Sequence, residues 1–175
     1  MTETSPSLTL AHSTMDTPVG RLGLFASDKG LAKIAFEADR YDRVVRDTAQ
    51  ALNARVVHHP ERLDPAKRQI DEYFDHLRRV FDLKLDLRLA NGLTLQVVKQ
   101  LNILPYGRAV TYGEVAEMVG HPGSARAIGQ ACAANPLPIV VPCHRVIRSD
   151  GTLGGYAGAE QIKRALLALE GVKLS

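Results

Sequence analysis

The spacing of hydrophobic and polar positions changes several times along the chain, and each spacing predicts an element. Leu8-Thr9-Leu10, Arg21-Leu22-Gly23-Leu24-Phe25-Ala26 and Leu31-Ala32-Lys33-Ile34-Ala35-Phe36 are short, mostly apolar runs. Turn-forming stretches, Asp16-Thr17-Pro18-Val19-Gly20 and Ser27-Asp28-Lys29-Gly30, separate them. Three short strands in a small antiparallel sheet are expected. Over residues 40–52 the spacing becomes helical, with Val44, Val45, Ala49 and Leu52 on one side. A second helix is expected over 65–79, with Ile70, Phe74 and Leu77 as its apolar face. From Phe81 to Leu89, leucines and Phe81 alternate with Asp82, Lys84, Asp86 and Arg88, the pattern of a half-buried extended segment. Asn91-Gly92 then marks a boundary. The division is into an α/β support domain, residues 1–90, whose first seven residues read as a disordered tail, and a second domain, residues 91–175.

The second domain reads as mostly helical. Leu93, Val97, Leu101 and Leu104 stripe a helix that Pro105-Tyr106-Gly107 stops. Thr111-Tyr112-Gly113-Glu114 has the spacing of a capping box, which starts a helix reaching about Val119. Gly120-His121-Pro122-Gly123 is a tight break, and a short helix follows from Ser124 to Ala133. Helix, glycine-containing break and small-residue helix together read as a helix-turn-helix. Ala125, Ala127 and Gly129 let the second helix come close to a DNA groove or to a neighbouring helix. Arg126, in its first turn, either reaches into such a groove or is an exposed solubilising charge. Asn135-Pro136 ends the helix. Pro138-Ile139-Val140-Val141 is expected to be a buried extended stem. A loop spans residues 149–158, and the final helix, Ala159 to Leu169, ends at Glu170-Gly171.

Composition narrows the class. A chain of 175 residues with 45% hydrophobic content supports a real core in one domain or two small ones. It contains no run of about 18 apolar residues, so no membrane span is expected. Its first residues lack the basic and apolar regions of a signal peptide. Two cysteines, Cys132 and Cys143, are too few for a disulfide framework, so a reducing compartment is expected. Residues 1–90 carry 14 Lys+Arg against 14 Asp+Glu, and residues 91–175 carry 8 against 5. The whole net charge of +3 therefore lies in the second half. That mild excess permits a polyanion partner without requiring one. His58 and His59 lack a third ligand at useful spacing, so no metal is expected.

The strongest chemical statement is Pro142-Cys143-His144-Arg145-Val146. A thiol beside an imidazole is the composition of an activated nucleophile, because His can take the proton or stabilise the thiolate. The plainer reading is that Cys143 is a small buried hydrophobe. Glu170 sits at a helix C-terminus, where the dipole disfavours a carboxylate, so another purpose is expected for it, such as orienting His144. Cys132 is read as a packed small residue.

Taken together, Pro105-Tyr106-Gly107, Thr111 to Ala116, Ala125-Arg126-Ala127-Ile128-Gly129, Asn135-Pro136, Ile139 to Val146, Gly155-Tyr156 and Leu169-Glu170-Gly171 closely resemble the O6-alkylguanine-DNA alkyltransferases, the methylated-DNA–protein-cysteine methyltransferases. The resemblance implies a ribonuclease-H-like α/β domain followed by a winged-helix-like domain carrying the helix-turn-helix. It implies a DNA repair protein that takes the alkyl group of O6-alkylguanine, and by extension of O4-alkylthymine, irreversibly onto Cys143. His144 would act through a water, with Glu170 orienting it, and would raise the thiolate fraction. Tyr112 would assist the leaving guanine, and Asn135 would organise the turn. Arg126 would fill the space of the flipped nucleotide, with Ala125, Ala127 and Gly129 against the duplex. Pro138, Val146, Ser149, Tyr156 and Ala157 would line the base pocket. The implied partner is lesion-bearing double-stranded DNA. No cofactor or membrane is implied; some relatives bind zinc in the first domain through Cys and His, but this first half has no Cys, so no such zinc is expected. The protein would be intracellular, cytoplasmic and nucleoid-associated if bacterial or archaeal, and a monomer that can cluster on DNA.

The chain departs from the family's pattern in two places. Leu93 to Val98 lacks the aromatic residues common before Pro-Tyr-Gly, and Ala157 removes one potential hydrogen bond to the base. The competing readings are an alkyltransferase-like lesion binder, which Cys143 argues against, an alkylation- or redox-sensing winged-helix regulator, and a thiol hydrolase.

Overall fold

The computed structural model describes residues 8–36 and 40–174, and the expected tail, residues 1–7, lies outside them. The chain forms two compact units, Met1–Leu89 and Ala90–Ser175.

In the first unit, β1 (Leu8–Thr17), β2 (Gly20–Ser27) and β3 (Gly30–Ala35) form a meander. α1 (Tyr41–Ala51) leads to β4 (Ala54–Val56), and a 3-10 turn at Pro60–Leu63 precedes α2 (Asp64–Phe74). The sheet order is β3-β2-β1-β4. Two expectations need correcting here. β1 runs to Thr17, well beyond Leu10, because Ala11 to Thr17 pairs residue for residue with β2 across a two-residue Pro18-Val19 turn. β4 joins β1 in parallel, so the sheet is mixed and not purely antiparallel. Ala54-Arg55-Val56 is too short and too polar to announce itself as a strand. The expected apolar side of α1 is where it packs: Val44, Val45, Ala49 and Tyr41 lie against Leu10, Phe25, Ala32 and Leu52.

α2 stops at Phe74, five residues short of the expected end. The chain closes the helix with bonds from the Leu77 N–H to the Glu72 carbonyl and from the His76 N–H to the Tyr73 carbonyl, at 2.8 and 3.2 Å. This is a Schellman motif with His76 at the left-handed position usually given to glycine, φ 60°. Leu77 is consequently 76% exposed and not part of the apolar face. The 81–89 segment bridges Leu85 to Leu31 in parallel and turns at Arg88-Leu89. Its alternation fails at one charged position: Asp86 is buried, hydrogen-bonded by the Ser27 hydroxyl and paired with Arg88.

The second unit contains α3 (Gly92–Leu101), α4 (Tyr112–Met118), α5 (Ala125–Ala133) and α6 (Glu160–Leu169). A two-stranded parallel pair, β5 (Val110–Thr111) with β6 (Val146–Ile147), joins them. α3 ends before Leu104, which stays buried in the turn that follows. The capping box is present: the Glu114 N–H donates to Thr111 Oγ1 and the Thr111 N–H to the Glu114 carboxylate, both at 3.1 Å. α4 and α5 pack together, and α5 also packs on α3.

The stem is not extended. Residues 137–143 form tight turns, with the Val141 N–H on the Leu137 carbonyl and the Cys143 N–H on the Val141 carbonyl, each at 2.8 Å. Ile139 is fully buried in the left-handed region, φ 76°. Two prolines and a β-branched run favour a strand, but Asn135 bends the segment instead.

Candidate active site

Asn135 follows the end of α5 and is buried. Its side-chain oxygen accepts from the Leu137 N–H at 3.0 Å and its amide donates to the Val141 carbonyl at 2.9 Å. These bonds fold residues 135–141 into a loop closed on one side chain, and they deliver Cys143 onto a 3-10 turn, Cys143–Arg145. All three residues of the turn are buried.

His144 and Arg145 point at Glu170. Nε2 of His144 lies 2.5 Å from Glu170 Oε2. Arg145 grips the same carboxylate through Nε at 2.8 Å and a terminal nitrogen at 3.1 Å. The Gly107 N–H donates to Oε1 at 3.0 Å. Glu170 can be there because α6 ends in a second Schellman turn, with the Val172 N–H on the Leu167 carbonyl, the Gly171 N–H on the Ala168 carbonyl and Gly171 at φ 78°. Burial works against ionisation of Glu170, yet the bonds from His144, Arg145 and Gly107 hold it down to about 2. It is a carboxylate at any ordinary pH. Burial lowers the His144 pKa, Glu170 opposes that shift, and the charges of Arg145 and Lys163 reinforce it. His144 is therefore a neutral imidazole. Because Nε2 donates to the carboxylate, Nδ1 is the lone-pair nitrogen, and among the described residues it has no hydrogen-bond partner.

A second buried group surrounds Tyr112 at the start of α4. Its hydroxyl donates to the Gly155 carbonyl at 3.0 Å. Lys163, fully buried on α6, donates to the Tyr112 hydroxyl at 3.2 Å, to the Val146 carbonyl at 2.5 Å and to the Gly155 carbonyl at 3.1 Å. Among the described residues no carboxylate pairs with it, and burial pulls its ammonium down to about 8. Burial also pushes the Tyr112 phenol up to about 12, so it is a proton donor and not a phenolate. Gly154 permits this packing: a Cβ there would stand 2.6 Å from the Tyr112 hydroxyl.

Cys143 itself is pushed up to about 11 by burial, against the hydrogen bond from Asn135 and the charge of Lys163. Burial thus favours the thiol form of Cys143 in the free protein. Cys132 is buried and close enough to raise the Tyr112 pKa, and burial lifts it to about 12.

The structure thus gathers Cys143, His144, Glu170, Asn135 and Tyr112 into one buried neighbourhood. Pro138 and Val146 are buried beside it, Tyr156 is half-buried, and Ser149 and Ala157 are exposed on the loop. Ala125 and Arg126 are exposed on the first turn of α5, with Ala127 and Gly129 half-buried. Sequence reasoning missed Arg145 and Lys163 as site residues. The signal for Lys163 was available: residues 163, 166, 167 and 170 share one helix face with Leu166, Leu167 and Glu170.

Comparison with known proteins agrees with this arrangement. Residues 10–87 match the family model for the ribonuclease-like domain of 6-O-methylguanine DNA methyltransferase, and residues 93–172 match the model for its DNA-binding domain. A methylated-DNA–protein-cysteine methyltransferase of Mycolicibacterium paratuberculosis is 38% identical over 161 residues, 92% of each chain. The crystal structure of the Mycobacterium tuberculosis O6-methylguanine methyltransferase superposes with a TM-score of 0.79 at 36% identity, covering 92% of each chain. A crystal structure of Mycobacterium tuberculosis OGT in complex with DNA gives 0.76 at 36% identity, covering 93% of this chain and 92% of that one. With two family models spanning most of its length and relatives this similar, the chain belongs to the methylated-DNA–protein-cysteine methyltransferase family.

Proposed function

We propose that the protein repairs DNA by moving the alkyl group of O6-alkylguanine onto Cys143 and is consumed in doing so. The observation that carries this reading is the fixed imidazole of His144. Its Nε2–H is committed to Glu170, which leaves the Nδ1 lone pair, on the same turn as the thiol, without a partner among the described residues. In the transfer, Cys143 Sγ bonds to the alkyl carbon as the carbon–O6 bond breaks. The thiol proton passes through an intervening water to His144 Nδ1. The departing guanine takes a proton from the Tyr112 hydroxyl, which Lys163 replaces. The product is a thioether with no adjacent group able to cleave it, so one molecule repairs one lesion.

A buried acceptor requires the lesion to leave the base stack, at a cost of a few kcal/mol. In this reading Arg126 fills the gap left in the duplex, while Ala125, Ala127 and Gly129 let α5 approach the minor groove. Pro138, Val146, Ser149, Tyr156 and Ala157 enclose the flipped base. The half-buried ring of Tyr156 and the exposed Ser149 and Ala157 suit a loop that closes over it. The ribonuclease-H-like description of the first unit and the winged-helix description of the second belong to the same reading, as do specificity for alkylguanine, extension to O4-alkylthymine, and a monomer able to cluster on DNA. α4 followed by the small-residue α5 supports the helix-turn-helix. No α-helix among the described residues is long and apolar enough to cross a membrane.

Intact-mass analysis after incubation with duplex DNA carrying O6-methylguanine tests the transfer. One added methyl group, mapped to the Cys143 peptide and absent in Cys143→Ala, is expected. Lesion binding without an adduct would contradict the reading.

A further inference from the structure

Arg145 does more in this structure than occupy a place next to the acceptor turn. It is buried, and every contact it makes organises Glu170 or the turn behind it. Two guanidinium nitrogens hold both Glu170 oxygens, a third donates to the Leu104 carbonyl at 2.6 Å, and the guanidinium lies over the Tyr106 ring, 5.6 Å from its centroid. Tyr106 in turn donates to the Leu169 carbonyl at 3.4 Å, and Gly107 donates to Glu170. The carboxylate that His144 leans on is therefore already neutralised by a fixed cation.

We propose that Arg145 is a positioning residue that keeps His144 a neutral base: by sharing Glu170 it cancels the carboxylate charge that would otherwise hold a second proton on the imidazole. This rests on the reading of His144 as the proton acceptor. A buried imidazole beside a lone carboxylate is drawn towards imidazolium, since the pair is then neutral. An imidazolium has no lone pair on Nδ1 and takes no proton from Cys143. With Arg145 present, carboxylate and guanidinium already balance, and a proton on His144 would leave an uncompensated buried cation. The other charged or titratable groups around His144 point the same way. Lys163 on α6 is a second cation, and Cys143 on the same turn is a neutral thiol. Tyr112 and Cys132, both pushed up by burial, are neutral at ordinary pH.

The test compares Arg145→Gln and Arg145→Lys with the wild type, using single-turnover methyl transfer across pH and the nitrogen NMR signals of His144. In Arg145→Gln the acid limb of the rate profile should move up by about one pH unit or more, the size of effect of a neighbouring charge. The His144 titration should move with it. Arg145→Lys, which keeps the charge and loses the fork, should keep the wild-type acid limb whatever its overall rate. Acid limbs and titrations that coincide in all three proteins would overturn the proposal and leave Arg145 a merely structural residue. Should Arg145→Gln fail to fold, the wild type decides: its His144 nitrogen signals must titrate with a midpoint below the free imidazole value, through the Nε2–H tautomer. A midpoint above the free value would overturn the proposal. Absence of any adduct in the wild type would instead overturn the transfer reading, while the NMR titration would still judge Arg145.

Discussion

Glu170 ends α6 where the helix dipole disfavours a carboxylate, and His144, Arg145 and the Gly107 N–H offset that cost. Removing one partner from such a cluster costs about 3–5 kcal/mol, because it strands a buried charge. Glu170→Gln should therefore lose thermal stability as well as transfer, checked by denaturant melts beside the rate. Asp86, buried between Ser27 and Arg88, is the matching device in the first unit, and its carboxyl is held down to about 2. A depressed carboxyl stabilises the fold above its unfolded value, near 3.9, and loses that contribution as pH falls towards 2. Asp86→Asn should cost roughly 2 kcal/mol at neutral pH and flatten the acid side of the stability curve between about pH 4 and 2. An unchanged acid limb would show that Asp86 is not so coupled. At this scale Cys143, His144 and Glu170 were legible because their chemistry is unusual where it stands. Asp86 and Arg145 were not, because a charge flanked by apolar residues reads as solvated, and only tertiary contacts reveal its partner.

The elements were legible where they carry their own punctuation. The capping box at Thr111 and the glycine after Glu170 fix the start of α4 and the end of α6. Thr111→Ala should destabilise the second unit by about 1 kcal/mol, the usual worth of an N-cap, measured by chemical denaturation. The stem was not legible, because apolar β-branched residues suggest extension and nothing local announces that Asn135 will close the segment into turns. Ile139 is the cost of that closure. Relieving its left-handed backbone with glycine would gain about 1–3 kcal/mol, but emptying its buried site would lose about 2–5. Ile139→Gly should therefore be net destabilising, and a stabilised variant would show that the strain outweighs the packing. In the loop before α6, Gly154→Ala places a methyl group against the Tyr112 hydroxyl. With Gly154 at φ 76° it should slow transfer and also lower the stability of the second unit, both read beside the wild type.

For the molecule as a whole, the distribution of charge sets how it meets DNA. The excess of cations in residues 91–175 is smaller in effect than its count, because Arg145 and Lys163 are buried in the site and do not face a partner. Lys99, Arg108, Arg126, Arg148, Arg164 and Lys173 remain exposed. Each phosphate contacted contributes about 0.9 to the slope of log affinity against log salt, so binding to undamaged duplex should show a slope no steeper than about 5. A steeper slope would require cations from the first unit on the DNA. The two-unit organisation was readable from the shift at Asn91-Gly92, whereas the parallel edge strand β4 was not, its three residues carrying no pattern of their own.

The central claim, that Cys143 is an acceptor consumed once, is tested most directly by stoichiometry. A fixed amount of protein is mixed with rising excess of duplex DNA bearing O6-methylguanine, and restored guanine is counted at completion. Restored guanine should plateau at one equivalent per active polypeptide, with an equal amount of S-methylated Cys143. Guanine restored beyond one equivalent, or a methyl group found on Cys132 with Cys143 free, would contradict the account.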